Sequence, residues 1–244
     1  MFRHHGDNRT YKQNLQIASL LSFVAGAVNV VGFIALNVFT TNVTGHFANF
    51  VDEIFNLRFY QCIIFFLYIQ FFLLGAFVSN TLVEIIDRRN AKNIFILPVA
   101  LEISILVTVA ILGIYLWQTH PNIIACLLLF SMGLQNALVT KISNAIVRTT
   151  HLTGLFTDLG IELSQLLFYK EKEQREKLRS NINLRISIIT FFFLGGVSGG
   201  LLYTKMQFYS LLIPAAMLLI GLMYDNLKFR ILKWKKKHSA QHEQ

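Results

Sequence analysis

Long apolar runs separated by short polar or basic connections dominate the chain. Six of them reach the length of a bilayer crossing, at roughly 14–36, 59–84, 93–117, 122–147, 184–204 and 208–226; about 18 consecutive apolar residues suffice for one span. Two segments interrupt this rhythm, 37–58 and 148–168. Both are too polar to face lipid along their whole length and too apolar for ordinary loops. Each contains a related stretch, TTNVTGHFANF from Thr40 to Phe50 and TTHLTGLFTDL from Thr149 to Leu159. Two readings stay open for them. One is a re-entrant or broken half-helix. The other is an amphipathic helix on the membrane surface, because Phe47, Phe50, Val51, Ile54 and Phe55 form an apolar stripe opposed by Asn49, Asp52 and Glu53.

The two halves of the chain match in order. Phe23, Gly26, Asn29 and Asn37 pair with Phe130, Gly133, Asn136 and Asn144 at a separation of 107. Thr40, Thr41, Thr44, Gly45, Phe47 and Glu53 pair with Thr149, Thr150, Thr153, Gly154, Phe156 and Glu162 at 109. Phe71, Phe72, Leu74 and Gly75 pair with Phe191, Phe192, Leu194 and Gly195 at 120, and Pro98 and Ala100 with Pro214 and Ala216 at 116. Apolar identities align easily by chance, so the ordered Gly, Asn, Thr and Pro pairs carry the argument for a duplication. Three crossings per half is an odd number, so the second half enters the membrane from the opposite side. The expected architecture is an all-α membrane protein of about six transmembrane helices in two inverted three-helix repeats. Residues 1–244 form a single transmembrane domain, with repeat A at about 14–117, repeat B at about 122–226 and a basic tail at 227–244.

Composition agrees and narrows the function classes. The chain is 54% hydrophobic and 14% charged, where a soluble domain carries about 25% charge. The net charge of +9 sits at segment ends and in the tail, which points to orientation in a membrane rather than to nucleic acid. Basic connections at 87–92 and 169–185, together with the tail, place both termini in the cytoplasm. The apolar run from Leu15 is too long, and too plainly lacking a cleavage site, for a removed signal. Cys62 and Cys126 lie within apolar runs without metal-type spacing. No cofactor, metal or catalytic residue is expected. The glycines Gly195, Gly196, Gly199 and Gly200, echoed by Gly75 with Ser79, form small-residue faces for helix packing, within one chain or in a homo-oligomer.

FVAGAVNVVGFIAL followed by NVTGH, and MGLQNALV followed by TTHLTGLFTDLG, together resemble the YoaK family of bacterial integral membrane proteins. The likeness covers nearly the whole chain. It implies about six helices and a multi-pass protein of the bacterial cytoplasmic membrane, and it brings no established activity or substrate. Two residues depart from the family's pattern. Asn29 stands where members often carry an acid, and His46 stands where T-G is usually followed by Asn.

Chemistry is expected where backbone groups are freed from helices, because in hydrocarbon they must line protein or a wet cavity. If both breaks are re-entrant, two half-helix N-termini converge near the midplane, with partial positive charge suited to an anion. The candidate solute-binding residues are Asn29, Thr41, Asn42, Thr44, Gly45 and His46 from the first half. Asn136, Thr150, His151, Thr153, Gly154 and Asp158 come from the second. Glu102, in the third span and matched by Leu218, is the candidate for proton or ion coupling. Lys141 and Arg148 lie near the end of the fourth span as anchors or anion guides. The leading expectation is a small-solute transporter or channel, its partners the bilayer and an unidentified solute for which an anion is a candidate. The alternatives are a non-transporting scaffold or regulatory partner and, with no supporting motif, an intramembrane enzyme.

Overall fold

The computed structural model describes residues 9–89 and 94–224 and is helical throughout. The helices are α1 (Tyr11–Leu36), α2 (Val43–Phe55), α3 (Phe59–Arg88), α4 (Ile96–Leu116), α5 (Pro121–Ser143), α6 (Leu152–Phe168) and α7 (Lys172–Met206). A 3-10 turn, Gln207–Leu211, leads into α8 at 212–224. The basic tail and most of the connection at 90–93 fall outside the described residues.

Local chemistry sets the ends of these helices. Thr10 starts α1 with a capping box, its hydroxyl accepting from Gln13 N at 3.4 Å while Gln13 Oε1 accepts from Thr10 N at 3.1 Å. Pro121 occupies the first turn of α5, where its missing N–H costs nothing. The ends of α1 and α5 use the same device. Asn37 and Asn144 both adopt the left-handed conformation, at φ 56° and 51°, which asparagine tolerates better than other residues with a side chain. The fourth span therefore stops at Ser143, short of the 147 expected from apolarity. The fifth helix instead begins well before its apolar part, because the charged run 172–183 continues it outward as a solvated extension.

Five helical stretches are long and apolar enough to cross a membrane, the last of them 172–224 taken whole. That stretch reverses at 207–211. One groove brings Ser187 and Phe191 of α7 together with Met217, Ile220, Gly221 and Tyr224 of α8, so α8 runs back along α7.

Matched residues make matched contacts. A Cβ at Gly26 would collide with the carbonyl oxygen of Phe192, and one at Gly195 with that of Phe23, so α1 and α7 lie backbone to backbone. A Cβ at Gly133 would collide with the carbonyl oxygen of Phe72, and one at Gly75 with that of Phe130, so α5 and α3 do the same. Each close pair joins the first helix of one half to the second long helix of the other half, the one that follows its short helix. The helix directions follow from further contacts. Gln135 of α5 bonds Leu21 of α1, while Leu128 lies beside Gly32, so α1 and its counterpart α5 run antiparallel. Gly199 packs likewise on Ala27. Of the two readings left open for the glycine faces, packing within the chain accounts for Gly75, Gly195 and Gly199.

A methyl group added at Gly133 is expected to destabilise the protein by about 1–3 kcal/mol, because backbone rather than a flexible side chain must move. Gly160, with nothing within 4 Å of its Cβ position, is the control. Gly160→Ala is expected to be neutral or to stabilise by up to about 1 kcal/mol. Thermal unfolding of the two purified variants in detergent checks both.

Candidate functional site

Beyond Leu36 the chain turns back on itself, and α1 holds it there. Asn29 Oδ1 accepts from Thr41 N at 3.1 Å and from the Thr41 hydroxyl at 3.0 Å. Asn29 lies seven residues before the end of α1, about 10 Å along the helix. Asn42 then caps α2, its Oδ1 accepting from Gly45 N at 3.0 Å. His46 is buried, with Nε2 2.7 Å from the Phe39 carbonyl. A carbonyl can only accept, so Nε2 carries the proton.

From this point α2 runs antiparallel along α3. Phe50 packs on Phe66, and the His46 ring packs on Phe65 and Tyr68, its centroid 5.4 Å from that of Tyr68. Tyr68 lies nine residues after Phe59, about 14 Å along α3, so the N-terminus of α2 reaches about half the depth of a ~30 Å hydrocarbon core. A helix lying flat on the surface would meet α3 only near its first turn. The geometry is that of a short helix folded back along the first half of α3.

The second break repeats the plan with different side chains. Asn136 Oδ1 accepts from the Thr150 hydroxyl at 2.6 Å, again seven residues before the end of its helix. Thr149, like Thr40, is wholly buried with its hydroxyl unpartnered. His151 stands where Asn42 stood. It makes no side-chain cap on α6, and its ring lies over Gly154 where a Cβ would strike it. The first N–H groups of α6 therefore lack the side-chain acceptor that α2 has. α6 returns along α7, tied by Arg185 to Asp158 at 2.9 Å and to Glu162 by two bonds of 2.7 and 3.0 Å.

The expectation that the two breaks meet is not met. No Cα of α2 lies within 8 Å of one of α6, and each short helix packs instead on the second long helix of its own half. Gly45 and Gly154 do not approach one another. The physical reason is the pair of glycine contacts, which places α1 against α7 and α3 against α5 and leaves α2 and α6 as separate outer hairpins.

Two cavities of about 580 Å³ each adjoin the second break and share Ala145, Arg148 and His151. One is further lined by Asn80, Asn136, Thr140, Lys141 and Asn144. The other is lined by Gly154, Asp158, Lys177, Asn181 and Arg185. Lys141 is paired with Glu84 at 2.6 Å, and Arg185 is committed to its two carboxylates. Arg148 and Lys177 make no ion pair among the described residues.

Of the expected site residues, Asn136, His151, Gly154 and Asp158 line these cavities, with Thr150 bonded behind Asn136. Thr153 is exposed and lines neither. Asn29, Thr41, Asn42, Thr44, Gly45 and His46 line neither as well. Four of these six hold the first break's backbone in place. Sequence reasoning missed Asn80, Lys177, Asn181 and Arg185. Arg185 had a readable signal as the last charge before an apolar run, whereas Asn80 and Asn181 had none. Among the described residues no group of three or more His, Cys, Asp or Glu could hold a metal.

Asn29→Leu is expected to cost about 1–3 kcal/mol by stranding two donors at Thr41. Asn29→Asp, which still accepts both bonds, is expected to retain most of that stability. Unfolding midpoints of the two variants beside the parent decide it.

Residues 17–224 match the family described as protein of unknown function (DUF1275). The chain is also 27% identical over 218 residues to the UPF0700 transmembrane protein YoaK of Bacillus subtilis (strain 168), a match covering 87% of this chain and 94% of that protein. No solved structure matches. The long apolar helices and the paired T-G breaks thus sit in a multi-pass membrane protein that belongs to the DUF1275 family and is similar over most of its length to the transmembrane protein YoaK.

Proposed function

We propose that the protein is a small-solute transporter or channel of the bacterial cytoplasmic membrane, built from two inverted repeats and taking a small anion at the second break. Both termini and the basic ends of α3 and α5 lie in the cytoplasm on this reading, by the bias of Lys and Arg. The observation that carries it is the shared wall of two cavities. Arg148 and His151 stand there beside the uncapped N-terminus of α6, a place that favours negative charge. The antiparallel course of α1 and α5, and the matched Asn–Thr anchors, support the inversion. Thr150 and Asn136 hold the break open rather than bind solute, and Asp158 neutralises Arg185. The protein is read as a non-enzyme.

A second reading, a scaffold or regulatory partner that moves nothing, draws on one observation. The first break lines neither cavity.

Reconstituted protein is expected to pass a small anion from a broad panel into vesicles. Arg148→Ala should raise the half-saturating concentration by about tenfold, the scale of one charge-assisted bond. No flux for any solute, or flux indifferent to Arg148, would favour the scaffold. In a background with Cys62 and Cys126 replaced, His151→Cys is expected to react with an impermeant thiol reagent from the cytoplasm and Asn42→Cys from outside. Labelling of both from one face would rule out the inversion.

A further inference from the structure

Glu102, wholly buried on α4 with neither carboxyl oxygen partnered, lines neither cavity at the second break. The cavity between α6 and α7 is more informative, because its walls are unlike. One face of each helix builds it. Positions 151, 154, 155 and 158, and on α7 positions 177, 181, 184, 185 and 188, recur at helical spacing. Along that face of α7 the residues change from polar to aliphatic, from Lys177 and Asn181 to Leu184 and Ile188, as the helix passes from its charged extension into its apolar part. Leu184, Ile188 and Leu155 of α6 are only 6%, 1% and 4% exposed and belong to the main hydrophobic core. Part of the cavity wall is therefore the core itself, while Arg148, Lys177 and Arg185 bring positive charge to the rest. The neighbouring cavity has no such wall: apart from Phe72, its apolar lining is alanine.

Charge and size narrow what such a cavity takes. Arg185 is held by Asp158 at 2.9 Å and Glu162 at 2.7 Å, so that trio carries one negative charge. Arg148 and Lys177 are exposed and make no ion pair among the described residues. Three bases thus face two acids. With His151 neutral, the side chains that line the cavity or bond to its lining leave one positive charge. A monoanion balances it, whereas a dianion sets an unmatched charge beside buried aliphatic groups. The volume of about 580 Å³ falls among pockets for small organic molecules, roughly 300–1,000 Å³. A halide fills little of that space and leaves water against Leu155, Leu184 and Ile188. An apolar body that displaces this water is favoured by the ordinary hydrophobic effect.

We infer, resting on the reading that an anion binds at the second break, that this anion is a monoanionic amphiphile. Its head meets Arg148 and Lys177, and its apolar body lies against Leu155, Leu184 and Ile188. Two sources share that chemistry, a water-soluble organic acid and an anionic phospholipid of the surrounding membrane.

The probe is Ile146→Cys, at an exposed position of the cavity wall, in the full chain with Cys62 and Cys126 replaced and held in phosphatidylcholine nanodiscs. Its rate of reaction with an uncharged maleimide is measured. Hexanoate is expected to slow the reaction severalfold. Adipate, of equal length with a second carboxylate, is expected to leave it unchanged, as are sodium chloride and hexanol. Arg148→Ala and Lys177→Glu, both at exposed positions, should each abolish the protection. Nanodiscs containing phosphatidylglycerol separate the sources. A slower reaction there without added solute, dependent on the same two residues, identifies a membrane lipid, whereas protection by hexanoate alone identifies a soluble acid. Protection by neither, equal protection by adipate, or protection that survives both substitutions overturns the inference, and so does a thiol at position 146 that never reacts. Anion flux that depends on Arg148 without such protection leaves the transport reading standing and removes this one. Protection without flux of any solute does the reverse.

Discussion

Four glycines bring four helices into backbone contact, and the rest of the structure depends on that. With no hydrophobic drive between helices in lipid, association rests on close packing, and the closest packing places Cα against a neighbour's carbonyl. Gly26 with Gly195 and Gly75 with Gly133 do so in two symmetric pairs. Each pair crosses between the halves of the chain, so neither half's packing is complete without the other. The buried stripe of α1 and α5 is a consequence. These two helices form the centre, while α3, α4, α7 and α8 turn part of their surface outward.

That arrangement also decides what the breaks can do. Held outward by α3 and α7, α2 and α6 are independent hairpins, and duplication did not leave them equivalent. Asn42 closes the first helix end on itself by capping Gly45, and His46 locks the preceding turn through Phe39. At the second end, His151 leaves the corresponding donors without a side-chain cap. One break is closed on itself and the other borders cavities lined by cations. A similar divergence separates Glu102 from Leu218, where one copy keeps an acid in the core and the other fills the place with a methyl-bearing side chain.

Much of this was legible in the residues. Apolar length identified the crossings, because a helix must satisfy its own backbone in lipid. The ordered Asn, Gly and Thr matches identified both breaks, because such residues are retained in apolar runs where backbone turns, caps or close contacts need them. The Asn–Thr anchors were among the expected site residues, although they bond to each other and hold the backbone. Asn80, Lys177 and Asn181 were not legible as cavity residues, since each lies on a helix far in sequence from the break it faces.

The sequence by itself determined the class of protein, its long apolar helices and the position of each break, because all of these follow from local periodicity and from residue types with strong backbone preferences. Only the tertiary structure decided whether the breaks meet, and they do not. It also decided which glycines are spent inside the chain. Those questions turn on which helix faces which. The partner of a glycine face is set by shape and backbone approach across the whole bundle, and the order of apolar and polar residues along one helix carries no record of it.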